Sequence, residues 1–345
     1  MSKKGTATAY AIGAAALYSI SAPLSKQLLL HIPPTMLAAL LYLGAGIGLC
    51  LFAGRAGQGE KLTRKELPYT IGMILLDIAA PILLMYGMRS TNSASVSLLN
   101  NFEIVATSLI ALLVFREILS RHLWLAIGLV TLASILLSFE GADSFRFNRG
   151  SLLVLGATVC WGFENNCTRM LSNKSSVQIT TIKGIFSGLG SLSIALCLGE
   201  KAPAIVWLAA AMALGFVSYG LSIRYYIQAQ KELGAAKTSA YYALAPFLGV
   251  LLSMLVFGER PAPVFYLGLI LMGIATILMI QDSISLQHTH RHSHTHTHAH
   301  SHGGISHTHA HSHVHEHTHI HGADETTHSH THEHLDGHDH SHNEM

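Results

Sequence analysis

One stretch limits the architecture more than any other. From Asn92 to Glu117 the chain reads NSASVSLLNNFEIVATSLIALLVFRE, apolar or small almost throughout once past its polar opening. A helix of about 20 residues crosses the hydrocarbon core of a bilayer. In lipid, backbone N–H and C=O groups must be satisfied within the structure, and a helix does this within one segment. Near the centre of the run stands Glu103. A carboxylate at that depth costs about 2.5–3.5 kcal/mol on insertion scales, so Glu103 is expected to face a protein interior or a watery cavity.

The stretch has an echo at Gly234 to Glu259, GAAKTSAYYALAPFLGVLLSMLVFGE. Setting Phe115-Arg116-Glu117 on Phe257-Gly258-Glu259 places Glu103 opposite Ala245 and Ile104 opposite Pro246. One copy carries a charge where the other carries a proline-broken apolar helix. A second correspondence sets Gly13-Ala14-Ala15-Ala16-Leu17-Tyr18 on Gly156-Ala157-Thr158-Val159-Cys160-Trp161, with Lys26 falling on Arg169.

The remaining apolar runs extend this pattern. Spans are expected at 6–28, 34–53, 68–88, 92–115, 121–139, 150–171, 177–198, 203–228, 235–257 and 262–281. The chain is 50% hydrophobic and 12% charged, where a soluble domain carries nearer 25% charged residues. Pro68 and Pro203 suit first helical positions. Pro23, Pro81 and Pro246 lie inside spans and should kink or break them. The four cysteines fall within or at the ends of apolar runs and read as small buried hydrophobes, with a Cys160–Cys167 metal pair as the minor alternative. Five spans per half is an odd number, so the halves should lie in opposite orientations, as two inverted repeats over 6–139 and 150–281. Lys and Arg are more frequent in the connections on the N-terminal side of the membrane, which places both termini in the cytoplasm.

Here a resemblance becomes specific. Ser93-Ala94-Ser95 through Phe115-Arg116-Glu117, and Ala235-Ala236 through Pro246 to Gly258-Glu259-Arg260, resemble the drug/metabolite transporter superfamily in its EamA-type branch. The resemblance implies an all-α membrane protein of ten transmembrane helices, and secondary transport of small organic solutes, often export, across a cell or inner membrane. This sequence departs from the family pattern at the fourth helix, which lacks the usual proline and carries Glu103. It departs again at Leu41, where a basic residue is common; Lys183 keeps that feature in the second half.

Ionisable residues within the spans are the candidates for chemistry, because charge at that depth is costly and marks pathways and relays. Asp77 and Glu103 from the first half, with Glu164 and Lys183 from the second, are expected around a central cavity. One carboxylate there would bind a proton, in competition with substrate, giving antiport. A carboxylate among apolar neighbours takes up a proton more readily than one in water. Lys183 would hold a substrate carboxylate or pair with Glu164. Asn100, Asn101, Asn165 and Asn166 offer amides beside the acids, and Tyr18, Trp161, Tyr219, Tyr241 and Tyr242 are candidates for the wall. Lys26, Arg169 and Arg224 lie toward span ends and suit anchoring at the headgroups.

The tail, 282–345, differs in kind. Of 25 His in the chain, 23 lie between His288 and His342. His288, His290, His292, His294, His296, His298, His300 and His302 alternate with small residues and Arg291. The alternation resumes at His307, His309, His311, His313, His315, His317, His319 and His321. With little apolar content, the tail is expected to be disordered. Imidazole ligates Zn2+, Ni2+, Co2+ and Cu2+, so the tail is expected to bind such ions, with no cofactor required for transport. The alternatives are a divalent metal exporter fed by this tail, and a membrane-tethered metal buffer or sensor. Expected partners are the lipid bilayer, a small-molecule substrate and divalent metal ions, with a homodimer left open. Basic residues are scattered rather than gathered on one face, which argues against nucleic acid. No nucleophile–base or HExxH spacing occurs in the spans, which argues against an enzyme.

Overall fold

The computed structural model describes residues 3–52, 62–115, 121–138, 148–171, 175–233, 238, 241–258, 260–302 and 305–320. It divides into two units, Met1–Ser285 and Leu286–Met345.

The first unit is helical. Its elements are α1 Lys3–Ser19, α2 Ser21–Leu28, α3 Pro34–Phe52, α4 Leu67–Ser90, α5 Ser93–Leu99, α6 Phe102–Phe115 and α7 Arg121–Ser138. They continue with α8 Arg149–Arg169, α9 Ser176–Ile182, α10 Gly188–Cys197, α11 Ile205–Gly215, α12 Ser222–Leu233, α13 Ala245–Phe257 and α14 Pro263–Leu286. Several are consecutive pieces of one passage: α1 with α2, α5 with α6, α9 with α10, and α11 with α12.

Among the described residues seven helical passages are long and apolar enough to cross a membrane: Gly5–Leu28, Pro34–Leu51, Arg64–Ser90, Ser93–Val114, Val177–Cys197, Ile205–Ala229 and Pro263–Gln281. Arg121–Leu137 and Ala245–Val256 are shorter apolar helices. The α8 helix reaches 21 residues, but Glu164, Asn165 and Asn166 make it more polar than these. Lipid-suited side chains cover the outside, with Leu30, Leu51, Leu113, Ile205 and Leu255 each more than 70% exposed.

The helix contacts exchange when the two halves are swapped. The α4–α8 packing between the halves has its counterpart in α12–α1, α6–α8 in α13–α1, and α3–α11 in α10–α4. Small residues set these distances. A Cβ on Gly44 would stand 2.1 Å from Met212 O, and one on Gly215 would stand 2.0 Å from Leu41 O. Gly46 and Gly184 face one another, a Cβ on Gly184 standing 2.5 Å from Gly46 Cα. The α8 helix is seated the same way: Gly150 lies against the Gly87 carbonyl, and Gly162 against Ala106 of α6.

Three breaks in the helices have local causes. The α5–α6 passage turns at Asn100-Asn101, and the α13 passage turns at Ala243-Leu244. These are nearly equivalent positions in the echoed stretches. The second break falls where Pro246 opens α13, so this proline starts a helix rather than bending one. Pro23 removes a donor from the Ser19 carbonyl, and a Cβ on Gly249 of α13 would lie 3.2 Å from that oxygen. Pro81 stays inside a continuous α4.

Two passages of the second half contain π-helical turns, Lys183–Ser187 and Phe216–Leu221. Such turns insert a residue into the ladder and cluster at functional sites. Charged side chains close helix ends. Lys26 Nζ donates to the carbonyls of Met88, Arg89 and Thr91 at the end of α4, with the Thr91 bond 2.8 Å. It therefore caps a neighbouring helix, where anchoring at the headgroups was expected. The Glu200 carboxylate accepts from Met36 N at 2.7 Å at the start of α3, where an anion suits the helix dipole.

The second unit holds the His-rich tail. Gln287–His302 and Ile305–Ile320 form two antiparallel strands, β1 and β2. The strict two-residue alternation of His with Thr and Ser is the period of a strand, and Thr favours extended backbone. The register pairs His288 with His319, His290 with His317, His292 with His315 and His294 with His313. It continues with His296 against His311, His298 against His309 and His300 against His307. His302 pairs with Ile305. His321, the last of the expected ligands, lies outside the described residues, as do Arg116, Glu117 and Glu259 of the echoed stops and the Arg169 side chain.

Candidate functional site

A cavity of about 770 Å3 opens inside the helical unit, within the usual range for small-molecule sites. Both halves line it. Asp77 comes from α4, Asn100 and Asn101 from the α5–α6 break, and Glu103 from the first turn of α6. Glu164 and Asn165 come from α8, and Lys183 from the π turn after α9. Ala245 and Pro246 line it too, so Glu103 and its apolar counterpart share one space.

Asp77, Glu164 and Lys183 form one cluster. Lys183 Nζ lies 2.9 Å from Glu164 Oε1 and 3.3 Å from Asp77 Oδ2. Asp77 and Glu164 are 1% and 2% exposed, Lys183 22%. Tyr42 Oη donates to Asp77 Oδ1 at 3.1 Å, and Trp161 Nε1 donates to Tyr42 Oη at 3.3 Å. Thr168 Oγ1 donates to Glu164. This network joins α3, α4, α8 and the π turn through charged and polar groups. Of the two roles open to Lys183, the structure shows the ion pair with Glu164 and adds Asp77 as a second partner.

Glu103 stands apart from this trio. Its Oε1 accepts from Asn165 Nδ2 at 2.7 Å, and Asn165 Nδ2 also reaches Thr107 Oγ1 at 3.2 Å. No ion pair to Glu103 occurs among the described residues. Asn100 Oδ1 and Asn101 Nδ2 lie buried at the helix break without a hydrogen-bond partner. Asn166, expected beside the acids, bonds the Thr107 and Gly162 carbonyls and does not line the cavity.

The wall is aromatic. Tyr18, Trp161, Tyr219 and Tyr242 line the cavity as expected, and Tyr241 does not. Tyr42 and Tyr226, which sequence reasoning missed, do line it. Tyr18 lies 5.9 Å from Tyr219 and 5.7 Å from Tyr242, and Tyr226 lies 5.1 Å from Tyr242, measured between ring centroids. Ser21 Oγ and Tyr219 Oη are 2.7 Å apart, which fixes that ring from α2.

A helical unit with membrane-suited passages, an internal repeat and a largely apolar cavity that bears charged groups from both halves defines a membrane transport protein. The chain belongs to the EamA-like transporter family, whose model matches residues 5–139 and again 148–281. It is 27% identical over 268 residues to an uncharacterized transporter of Methanothermobacter thermautotrophicus, covering 72% of this chain and 78% of that one. It is 24% identical over 255 residues to the uncharacterized inner membrane transporter YedA of Escherichia coli (strain K12), covering 72% and 81%. A solved crystal structure aligns with a TM-score of 0.59 at 19% identity, over 81% of this chain and 98% of that one, which shows the shared fold.

Proposed function

We propose that this protein is a secondary transporter that exports a small organic solute in exchange for protons. Ten helices cross a cell membrane as two inverted five-helix repeats, with both termini in the cytoplasm. The observation that carries this reading is the composition of the cavity: three carboxylates and one lysine, supplied by both repeats, enclosed among helices whose outer faces suit lipid. Family membership supports transport, and the exchange of helix contacts between halves supports alternating access around a shared centre. Glu103 is the group for which proton and substrate compete, since its described partner is a neutral amide.

The test uses the full chain in vesicles that hold a pH-sensitive dye. Pools of amines, amino acids, nucleosides and organic acids are presented against an imposed pH gradient. One pool should dissipate the gradient, and Glu103→Gln should abolish that response while the protein stays folded. Unchanged pH-driven transport in the Gln variant removes Glu103 from the role. Failure of every pool removes proton exchange.

The His-rich tail supports a second activity, binding of Zn2+, Ni2+, Co2+ or Cu2+. Seven His–His positions face each other in the β1–β2 register, and paired positions in such a ladder lie about 4.5–5.5 Å apart at Cα. That spacing suits two ligands on one ion. Metal as the cargo fits the cavity less well. Lys183 already occupies the place between Asp77 and Glu164 that a dication would need.

A further inference from the structure

Charge and surface in the cavity narrow the solute beyond its size. Four ionisable acids and bases line it: Asp77, Glu103, Glu164 and Lys183. Lys183, the one base among the described lining residues, is committed, held at 2.9 and 3.3 Å by two carboxylates. Glu103 is the acid left over, with Asn165 as its hydrogen-bond donor. A solute carboxylate entering this space finds no uncommitted base among the described lining residues, and it meets an acidic excess. A solute ammonium finds the opposite: an available carboxylate and, at the helix break, the buried Asn100 Oδ1 with no donor of its own.

The aromatic wall points the same way. Rings carry negative potential on their faces and attract cations held within about 6 Å of the centroid. Tyr18, Tyr219, Tyr226 and Tyr242 form a continuous ring surface, with neighbours 5.1–5.9 Å apart. A quaternary ammonium suits such a surface because it has no N–H that needs an acceptor in place of water, and a primary ammonium finds its acceptor in the Glu103 carboxylate. A small metal ion does not, since its tightly held shell must be replaced by several oxygens or nitrogens.

We propose that the cavity takes a monovalent organic cation, an amine or quaternary ammonium whose charge lies against Glu103 and whose apolar body lies among Tyr18, Tyr219 and Tyr242. This assignment rests on the transporter reading for the site, but it makes a claim about equilibrium binding that needs no proton coupling.

The experiment measures binding to the purified full chain, with a chelator present to keep the tail free of metal. The label is benzyltrimethylammonium. Three competitors share its ring: phenethylamine, the neutral phenylethanol and the anion phenylacetate. The cations should compete, and the neutral and anionic analogues should be weaker by roughly tenfold to a hundredfold, the value of a charge-assisted contact. Glu103→Gln should weaken the label by a similar factor. Tyr242→Leu should weaken it about threefold to thirtyfold, with most of the affinity kept in Tyr242→Phe, since the ring face supplies the attraction.

No retention of the label by the wild-type protein overturns the assignment. So does phenylacetate or phenylethanol competing as well as phenethylamine. An unchanged affinity in Glu103→Gln also overturns it. Should that variant not fold, the competition series on the wild-type protein decides alone. An organic-acid pool that drives proton movement in vesicles, with no cation bound, sinks the cation assignment and leaves the transporter reading standing.

Discussion

Lys183→Met is the most informative single change. The substitution keeps the length of the side chain and removes the charge. It leaves Asp77 and Glu164, 1% and 2% exposed, facing each other without their shared cation. Removing one partner of a buried ion pair costs about 3–5 kcal/mol, mostly as the penalty of the stranded charge. Lys183 serves two carboxylates, so the upper end applies while both are ionised. A proton on either acid relieves the repulsion, so the lower end applies as the pH falls. At about 2–4 °C per kcal/mol for a large domain, melting should drop by roughly 6–20 °C. The assay is thermal melting of the purified full chain in detergent, at several pH values. The same measurement is made on Asp77→Asn/Glu164→Gln/Lys183→Met. Removing all three charges leaves no stranded buried charge, so the triple variant should recover most of the loss. That recovery is strongly non-additive, as expected only for groups in one network. A Lys183→Met protein that melts like the wild type, or a triple variant worse than the single, refutes the electrostatic account of the trio.

Other expectations follow from packing and from the tail. Gly215→Ala and Gly44→Ala place a methyl about 2 Å from a backbone carbonyl, so each should lose about 1–3 kcal/mol; Gly273→Ala, with nothing within 4 Å of the added Cβ, should be neutral or gain up to about 1 kcal/mol from helix propensity. Thermal melting separates the two groups. Lys26→Met uncaps the end of α4 and should cost about 1–2 kcal/mol by the same measurement. Deleting 288–345 should abolish binding of several Ni2+ or Zn2+ ions in equilibrium dialysis. In the intact chain that binding should fade as pH falls through about 6.5, where imidazole protonates and stops ligating.

Much of the site was legible because membrane chemistry penalises charge so heavily. Asp77, Glu103, Glu164 and Lys183 were visible as ionisable groups in apolar runs, and the structure places all four on one cavity. The pairing of Lys183 with Glu164 was one of two open roles, since distance across helices is not written in one-dimensional spacing. Lys183, the cation that Asp77 shares, opens the π turn Lys183–Ser187. A π turn has no residue signature of its own, and this one holds Gly184, which lies against Gly46 of α3. Tyr42 and Tyr226 were missed because an aromatic ring on an apolar helix looks the same whether it meets lipid, core or cavity. Tyr241 was assigned with Tyr242, although consecutive helical residues point about 100° apart and both seldom reach one space. In the tail, composition argued for disorder, and the two-residue His period, which is also that of a strand, was not read that way. The structure follows the period.

The unequal chemistry of the two halves has an energetic consequence. Identical repeats that traded shapes would produce two arrangements of the same free energy, so the empty protein would rest evenly between openings to either side. Here Glu103 and Ala245 share the cavity, and Lys183 corresponds to Leu41, which is 1% exposed. Trading shapes would move charge and apolar surface into different surroundings. On the proposed transport reading, the idle molecule should therefore be tilted toward one opening before any solute arrives.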